Sequence, residues 1–294
     1  MAKPIAPWDA AALLAIALIW GVNNVLTMAA LEYFPPMLFA GLRFLLTALA
    51  LLPFIGAAKG RWRTLLLIAT LSGPVHFAFV YAGFAAADDV TPVVIAAQLW
   101  IPFSVALAAF VLGERVGPAR AVGVGLAFVG VAAMAFDPLV LRQLWALVLI
   151  ASGALVWAAV SILIRRSPGA TPLSIQIWTA WVAFPALLGA SFLSETGQMA
   201  AISAASWPAW AALAFAGLVS SVGANALLFR LVQTYEVART TPYLLSTPVF
   251  SAALGVVFLG DALTVQVVLG GVLAMGGVAL CAFAERRPPK SAGV

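Results

Sequence analysis

The stretch SVALAAFVLGERVGPARAVGVGLAFVGVAAMAF, residues 104–136, recurs 147 residues later as SAALGVVFLGDALTVQVVLGGVLAMGGVALCAF, residues 251–283, without a gap and with 13 of its 33 positions identical. The shared positions include Leu112-Gly113 and Leu259-Gly260, Gly130-Val131-Ala132 and Gly277-Val278-Ala279, and Ala135-Phe136 and Ala282-Phe283, while the acids Glu114 and Asp261 also coincide. Alanine-rich chains match one another by chance, so the shared Gly, Phe and acidic positions carry the argument. Each copy is two apolar runs joined by a Gly-acid turn, and about 20 apolar residues suffice for a helix to cross a roughly 30 Å hydrocarbon layer. Working outward from the repeat, turn signals and charges place ten spans at 8–30, 35–56, 64–86, 90–112, 117–136, 144–165, 171–193, 206–231, 240–259 and 263–284. The copies are spans four and five and spans nine and ten, so each half, 1–136 and 137–294, holds five spans. An odd number starts the second half on the opposite side of the membrane. The expected fold is therefore an all-α membrane protein, ten transmembrane helices in two inverted five-helix repeats, an arrangement whose substrate sites lie near the midplane.

Composition demands the same environment. Of 294 residues 64% are hydrophobic and 9% charged, and the mean hydropathy is +1.11, against roughly 25% charged residues in a soluble domain. With a cytoplasmic N-terminus, the inner segments carry 13 of the 15 Lys and Arg, the outer loops carry Arg142, and Arg43 lies within a span. That bias obeys the positive-inside rule and places both termini inside. Spread over alternate loops, the basic residues form no nucleic-acid patch. The single Cys281 excludes an intramolecular disulfide framework, and the first apolar segment is too long for a secretory signal core.

Trp20-Gly21 in span one, Leu42-Arg43-Phe44 in span two, and the Leu-Gly-Glu and Leu-Gly-Asp endings of spans four and nine resemble the drug/metabolite transporter superfamily in its ten-span EamA form. The resemblance covers almost the whole chain and is closer to the aromatic amino acid exporters than to the nucleotide-sugar or triose-phosphate carriers. It implies a basket-like bundle with a central cavity, alternating access, and export of amino acids from a bacterial cytoplasm through the inner membrane.

Polar groups in hydrocarbon turn toward the bundle interior. Asn23 and Asn24 diverge by about 100° on a helix. Asn24 shares a face with Trp20 one turn earlier and is assigned to the cavity, with Asn23 as an interhelical bond; the alternative is that both amides join helices. His76 is the single histidine, near the centre of span three, with Tyr81 beyond it, and reads either as a ligand to a zwitterion or as a packing residue. Gln98 and Trp100 lie about 200° apart, so both face one cavity only if Pro102 distorts the turn. Trp157 shares a face with Ser161, and Tyr243 follows Pro242. The expected substrate-binding set is thus Trp20, Asn24, His76, Tyr81, Gln98, Trp100, Trp157, Ser161 and Tyr243. Pro74, Pro92, Pro102, Pro242 and Pro248 are expected hinges. Arg43 could attract a carboxylate, but is expected to snorkel or pair with an outer-loop acid, and Trp8, Trp62, Trp145, Trp207 and Trp210 to form the interfacial belt.

All ten Asp and Glu lie at span ends or in loops, which argues against an antiporter of lipophilic cations, the runner-up function, and fits a neutral or zwitterionic solute. Ser72 and His76, one turn apart, are the best catalytic constellation and a weak one; no zinc or nucleotide motif is present. A channel filter is also absent. The expected partners are a small-molecule substrate, an amino acid or similar metabolite, and membrane lipids, with no nucleic acid, cofactor or metal. A monomer is the simplest state.

Overall fold

Proline marks where these helices begin. It has no N–H, and the first turn of a helix needs none, so α1 (Pro7–Ala30), α2 (Pro36–Leu51, prolonged to Ala57 by a 3₁₀ turn), α5 (Pro118–Ala135) and α7 (Pro172–Ser194) all start on one. The remaining long helices are α3 (Trp62–Ala85), α4 (Val90–Leu112), α6 (Leu144–Arg165), α8 (Trp207–Leu231) and α10 (Val265–Phe283). The computed structural model describes residues 5–113, 116–167, 169–235, 240 and 243–284. Among these residues there is no strand, nine helices are long and apolar enough to cross a membrane, and α9 (Thr247–Phe258) is a shorter apolar helix. The nine lie within two residues of their expected limits. Two short helices, Pro138–Arg142 and Gln198–Ala204, were not foreseen; the first is capped by Asp137, whose side chain accepts from the Leu139 N–H at 2.8 Å.

Three helices are interrupted. In α3 the segment Leu71–Val75, which contains Pro74, is a π-helix, and in α8 so is Phe215–Ala224. In α4 the chain turns at Gln98–Leu99. Pro102 has no N–H to give the Gln98 carbonyl, which accepts instead from Ile101 at 3.1 Å. A matching turn at Leu245–Ser246, 147 residues later, precedes α9 and its Pro248. Pro92 occupies the first turn of α4, where a missing N–H leaves no carbonyl unsatisfied. Pro242 lies outside the described residues.

Packing is closest between α5 and α10. A Cβ on Gly130 would stand 2.2 Å from the Ala274 nitrogen, and one on Gly277 2.4 Å from the Ala127 nitrogen; Gly123 would meet the Gly277 oxygen at 2.8 Å, and Gly270 the Gly130 oxygen at 2.7 Å. The two backbones touch through a stripe of small residues, the usual way helices associate where lipid supplies no hydrophobic drive. Gly113 and Gly260, with φ of 67° and 77°, end α4 and α9 in the left-handed region that favours glycine.

Distant acids cap two helices. The Glu195 carboxylate accepts from the Met37 and Leu38 N–H groups at 2.7 and 3.1 Å at the start of α2. Asp261 accepts from the Val90 and Thr91 N–H groups, at 3.2 and 2.9 Å, and from the Thr91 hydroxyl at 2.5 Å, at the start of α4. Asp89, which accepts from the Ala262 N–H, and Asp137, which accepts from the Thr264 hydroxyl, join connections at the same end of the bundle.

The outer surface is apolar, with Phe110, Phe192, Leu193 and Val257 all more than half exposed. Such a surface is stable against lipid and not against water; the protein is a multi-pass membrane protein. Trp8, Trp62, Trp145 and Trp207 are exposed as expected of a belt. Trp210 is a correction: it is half-buried, edge-on to Phe34 at 5.2 Å, and packed into the cluster of Phe34, Phe39 and Leu213.

Candidate functional site

A cavity of about 330 Å³ occupies the middle of the bundle. From α1 it takes Trp20, Asn23, Asn24 and Thr27, spaced i, i+3, i+4, i+7; from α3 it takes His76, Phe77, Val80, Tyr81 and Phe84, at i, i+1, i+4, i+5, i+8. Both series are single helical faces. The interrupted α4 contributes Val94, Ala97, Gln98 and Trp100, α6 contributes Ile150 and Trp157, and Ser220, Asn225 and Thr247 complete the wall with Arg43. Seven of the nine expected residues line it. The turn at Gln98–Leu99 turns Gln98 and Trp100 to the same side, as the Pro102 argument requires.

Several expectations need correction. Asn24 lines the cavity as expected, but so does Asn23, and the interhelical bond belongs to Asn24, whose Nδ2 donates to Ser251 Oγ of α9 at 3.0 Å, while Asn23 Oδ1 is buried without a partner. A cavity wall spans a wider arc than one side chain, so a 100° divergence does not separate them. Ser161 is not among the lining residues; its hydroxyl is 2.8 Å from the Ala158 carbonyl and 3.2 Å from Ser104 Oγ on α4. Tyr243 is not among the lining residues; it packs, with Trp20, against the cluster of Leu13, Ile16, Ala224 and Leu231. Ser72 is hydrogen-bonded with Thr179 at 2.9 Å, and no bond joins it to His76. His76 Nδ1 is 2.9 Å from the Gly153 carbonyl. A carbonyl only accepts, so Nδ1 carries the proton and a neutral ring keeps Nε2 as acceptor. The ring packs on Trp157 at 5.2 Å.

Arg43 departs furthest from its expected role. It is buried, and among the described residues it meets no acid: Nη1 donates to the Tyr81 hydroxyl at 2.6 Å, Nε donates to Ser221 Oγ at 3.0 Å, and the guanidinium lies 5.1 Å from the centre of the Phe77 ring. Two of its five N–H groups are thus used, and the charge sits over an aromatic face. A second cavity of about 150 Å³ adjoins the first, toward the end of the bundle that carries Ile164 and Pro172, and Arg43, Phe77, Trp157 and Asn225 belong to both walls. The signal for Arg43 was its depth in an apolar span. Asn225, Ser220, Thr27 and Thr247 had none stronger than any polar residue in a helix, yet Thr27 Oγ1 and Thr247 Oγ1, like Asn23 Oδ1, are buried and unpartnered.

The site is a partly aromatic chamber inside a membrane bundle, lined also by Asn, Gln, His, Thr, Ser and Arg side chains, and a central chamber between membrane-spanning helices is the setting of a transporter. The EamA-like transporter family matches residues 7–136 and again residues 144–283, and the chain belongs to that family. It is a transporter and not an enzyme. A protein of Salmonella typhimurium (strain LT2) named "Probable amino-acid metabolite efflux pump" is 30% identical over 287 residues, covering 93% of this chain and 94% of its own. One of the same name from Escherichia coli (strain K12) is 27% identical, covering 95% and 96%. A solved crystal structure shares the fold with a TM-score of 0.61 at 21% identity, over 97% of this chain and all of its own.

Proposed function

We propose that the protein exports amino acids, aromatic and other neutral ones, or similar small metabolites from the cytoplasm, by alternating access through the central cavity. In this reading ten spans form two inverted five-helix repeats, 1–136 and 137–294, in a bacterial inner membrane with both termini cytoplasmic. The crossed contacts of α5 and α10 support the repeat: Gly123 and Gly130 correspond by the 147-residue offset to Gly270 and Gly277, and Gly123 meets Gly277 as Gly130 meets Gly270. A twofold relation pairs residues in that crossed way. The substrate would be held by Trp20, Trp100 and Trp157 on its apolar part and by Asn24, His76, Tyr81 and Gln98 on its polar part, with Pro74, Pro102 and Pro248 near the bends that alternating access needs. The names of the Salmonella and Escherichia relatives accord with such a substrate.

The single observation that carries the reading is the charge of the cavity. Its lining residues include Arg43 and no acid, so a lipophilic cation, the runner-up substrate, would meet like charge in a low-dielectric chamber, whereas a zwitterion brings a carboxylate. Efflux of radiolabelled phenylalanine, threonine and tetraphenylphosphonium from proteoliposomes, with and without a pH gradient, tests it. Amino acid efflux is expected; efflux of the cation alone would refute the reading.

A further inference from the structure

The partition between the two cavities is built from groups that match the two ends of a zwitterion. Three polar side chains converge on Ser221 within the π-helical segment of α8. Arg43 Nε donates to its hydroxyl at 3.0 Å. Asn225 Nδ2 donates to its carbonyl at 2.9 Å, and Gln176 Nε2 to the same carbonyl. Because a carbonyl only accepts, both amides must present nitrogen to Ser221, and this fixes their oxygens as free acceptors: neither Gln176 Oε1 nor Asn225 Oδ1 has a donor among the described residues. Arg43 keeps three N–H groups that no described residue takes. One residue therefore anchors an unused cationic donor set and two unused neutral acceptors, and Arg43 and Asn225 stand on the wall of both cavities.

We propose that this cluster is the recognition site for the head group of an α-amino acid. Arg43 receives the carboxylate, and the side-chain carbonyl oxygens of Asn225 and Gln176 receive the ammonium. The ligand's side chain then lies toward Phe77 and Trp157, and the head group sits at the boundary that a solute crosses in passing from one cavity to the other. The inference rests on the exporter reading for its biological meaning and goes beyond it by selecting compounds that carry both charges.

Isothermal titration of the purified full chain in detergent with phenylalanine, phenethylamine (no carboxylate) and 3-phenylpropionate (no ammonium) tests it, with proteoliposome flux of the same compounds in parallel. Phenylalanine should bind about tenfold or more tighter than either analogue, as expected for losing one charge-assisted hydrogen-bonded group. Arg43→Gln should weaken phenylalanine and 3-phenylpropionate and leave phenethylamine unchanged; Asn225→Leu should weaken phenylalanine and phenethylamine and leave 3-phenylpropionate unchanged. Ser221→Ala removes one anchor of Arg43 and keeps its charge, so it guards against a folding defect in Arg43→Gln: it should retain the preference for a carboxylate. Equal binding of all three compounds by the wild type, or parallel loss of all three in either variant, would overturn the site while leaving amino acid export standing. Selective binding with no flux would instead overturn the exporter reading and leave the site in place.

Discussion

Replacing Gly130 by alanine puts a methyl group where there is backbone. Its Cβ would stand 2.2 Å from the Ala274 nitrogen, 2.6 Å from the Ala274 Cα and 2.6 Å from the Gly270 oxygen, against 3.4 Å and more for ordinary contact. No flexible side-chain end is available to give way, so α10 must withdraw by about 1 Å along that stretch, loosening every contact of the stripe. Overpacking of this kind costs about 1–3 kcal/mol, and three backbone atoms in the way put Gly130→Ala toward the upper end. Exchanging glycine for alanine in a helix interior gains up to about 1 kcal/mol in intrinsic propensity, which leaves a net loss of about 1–2 kcal/mol. Gly125, on the same helix, and Gly276, on the facing one, have nothing within 4 Å of a built Cβ, so alanine there should be neutral or slightly stabilising. Thermal unfolding of the purified variants in detergent should show Gly130→Ala and Gly277→Ala melting several degrees below Gly125→Ala and Gly276→Ala. Equal melting of the four would refute a backbone-to-backbone contact between α5 and α10.

At matched expression, Trp100→Ala should reduce amino acid efflux well below Trp207→Ala, because Trp100 lines the cavity and Trp207 is 79% exposed; equal losses would remove Trp100 from the site. Asp261→Ala should cost about 1–2 kcal/mol through the uncapped start of α4, measured as a lower melting temperature than that of Glu32→Ala, an exposed acid. The Thr264 hydroxyl, together with the Leu139 and Val140 N–H groups, holds the Asp137 carboxyl below its ordinary range. Its contribution is therefore present above the ordinary carboxylate value and fades as pH falls through the folded value. Thr264→Val should flatten that acid-side decline in melting temperature, and an unchanged slope would count against it. Burial pushes Asp89 the other way, upward. Stability from its protonated form is lost as pH rises through its raised value, so Asp89→Asn should melt at or above the wild-type temperature at neutral pH.

The membrane architecture was legible because length and hydropathy leave a helix few alternatives in lipid, and Pro7, Pro36, Pro118 and Pro172 announce helix starts by their own chemistry. The turn at Gln98–Leu99 was legible for the same reason, since a proline removes a donor at a known offset. What could not be read were relations set by partners. Arg43 was expected to seek an outer-loop acid, but Tyr81 and Ser221, 38 and 178 residues away, satisfy it in place. That Asn24 and not Asn23 makes the interhelical bond depends on where Ser251 of α9 falls, and the inward turn of Trp210 depends on Phe34. The π-helical segments in α3 and α8 shift the phase of every later residue, and nothing in their composition beyond Pro74 signals them.

The carboxylate caps reach across the whole chain, and this bears on how the protein is made. Val90 and Asp261 are 171 residues apart, and Met37 and Glu195 are 158 apart. At about 5–20 residues per second of synthesis, the leading ends of α2 and α4 wait on the order of ten to thirty seconds for the acids that complete them. During that interval the starts of α2 and α4 lack the carboxylates that accept from their N–H groups. The two halves are similar in sequence and yet not interchangeable: both acids lie in the second half, and both helix starts that they complete lie in the first.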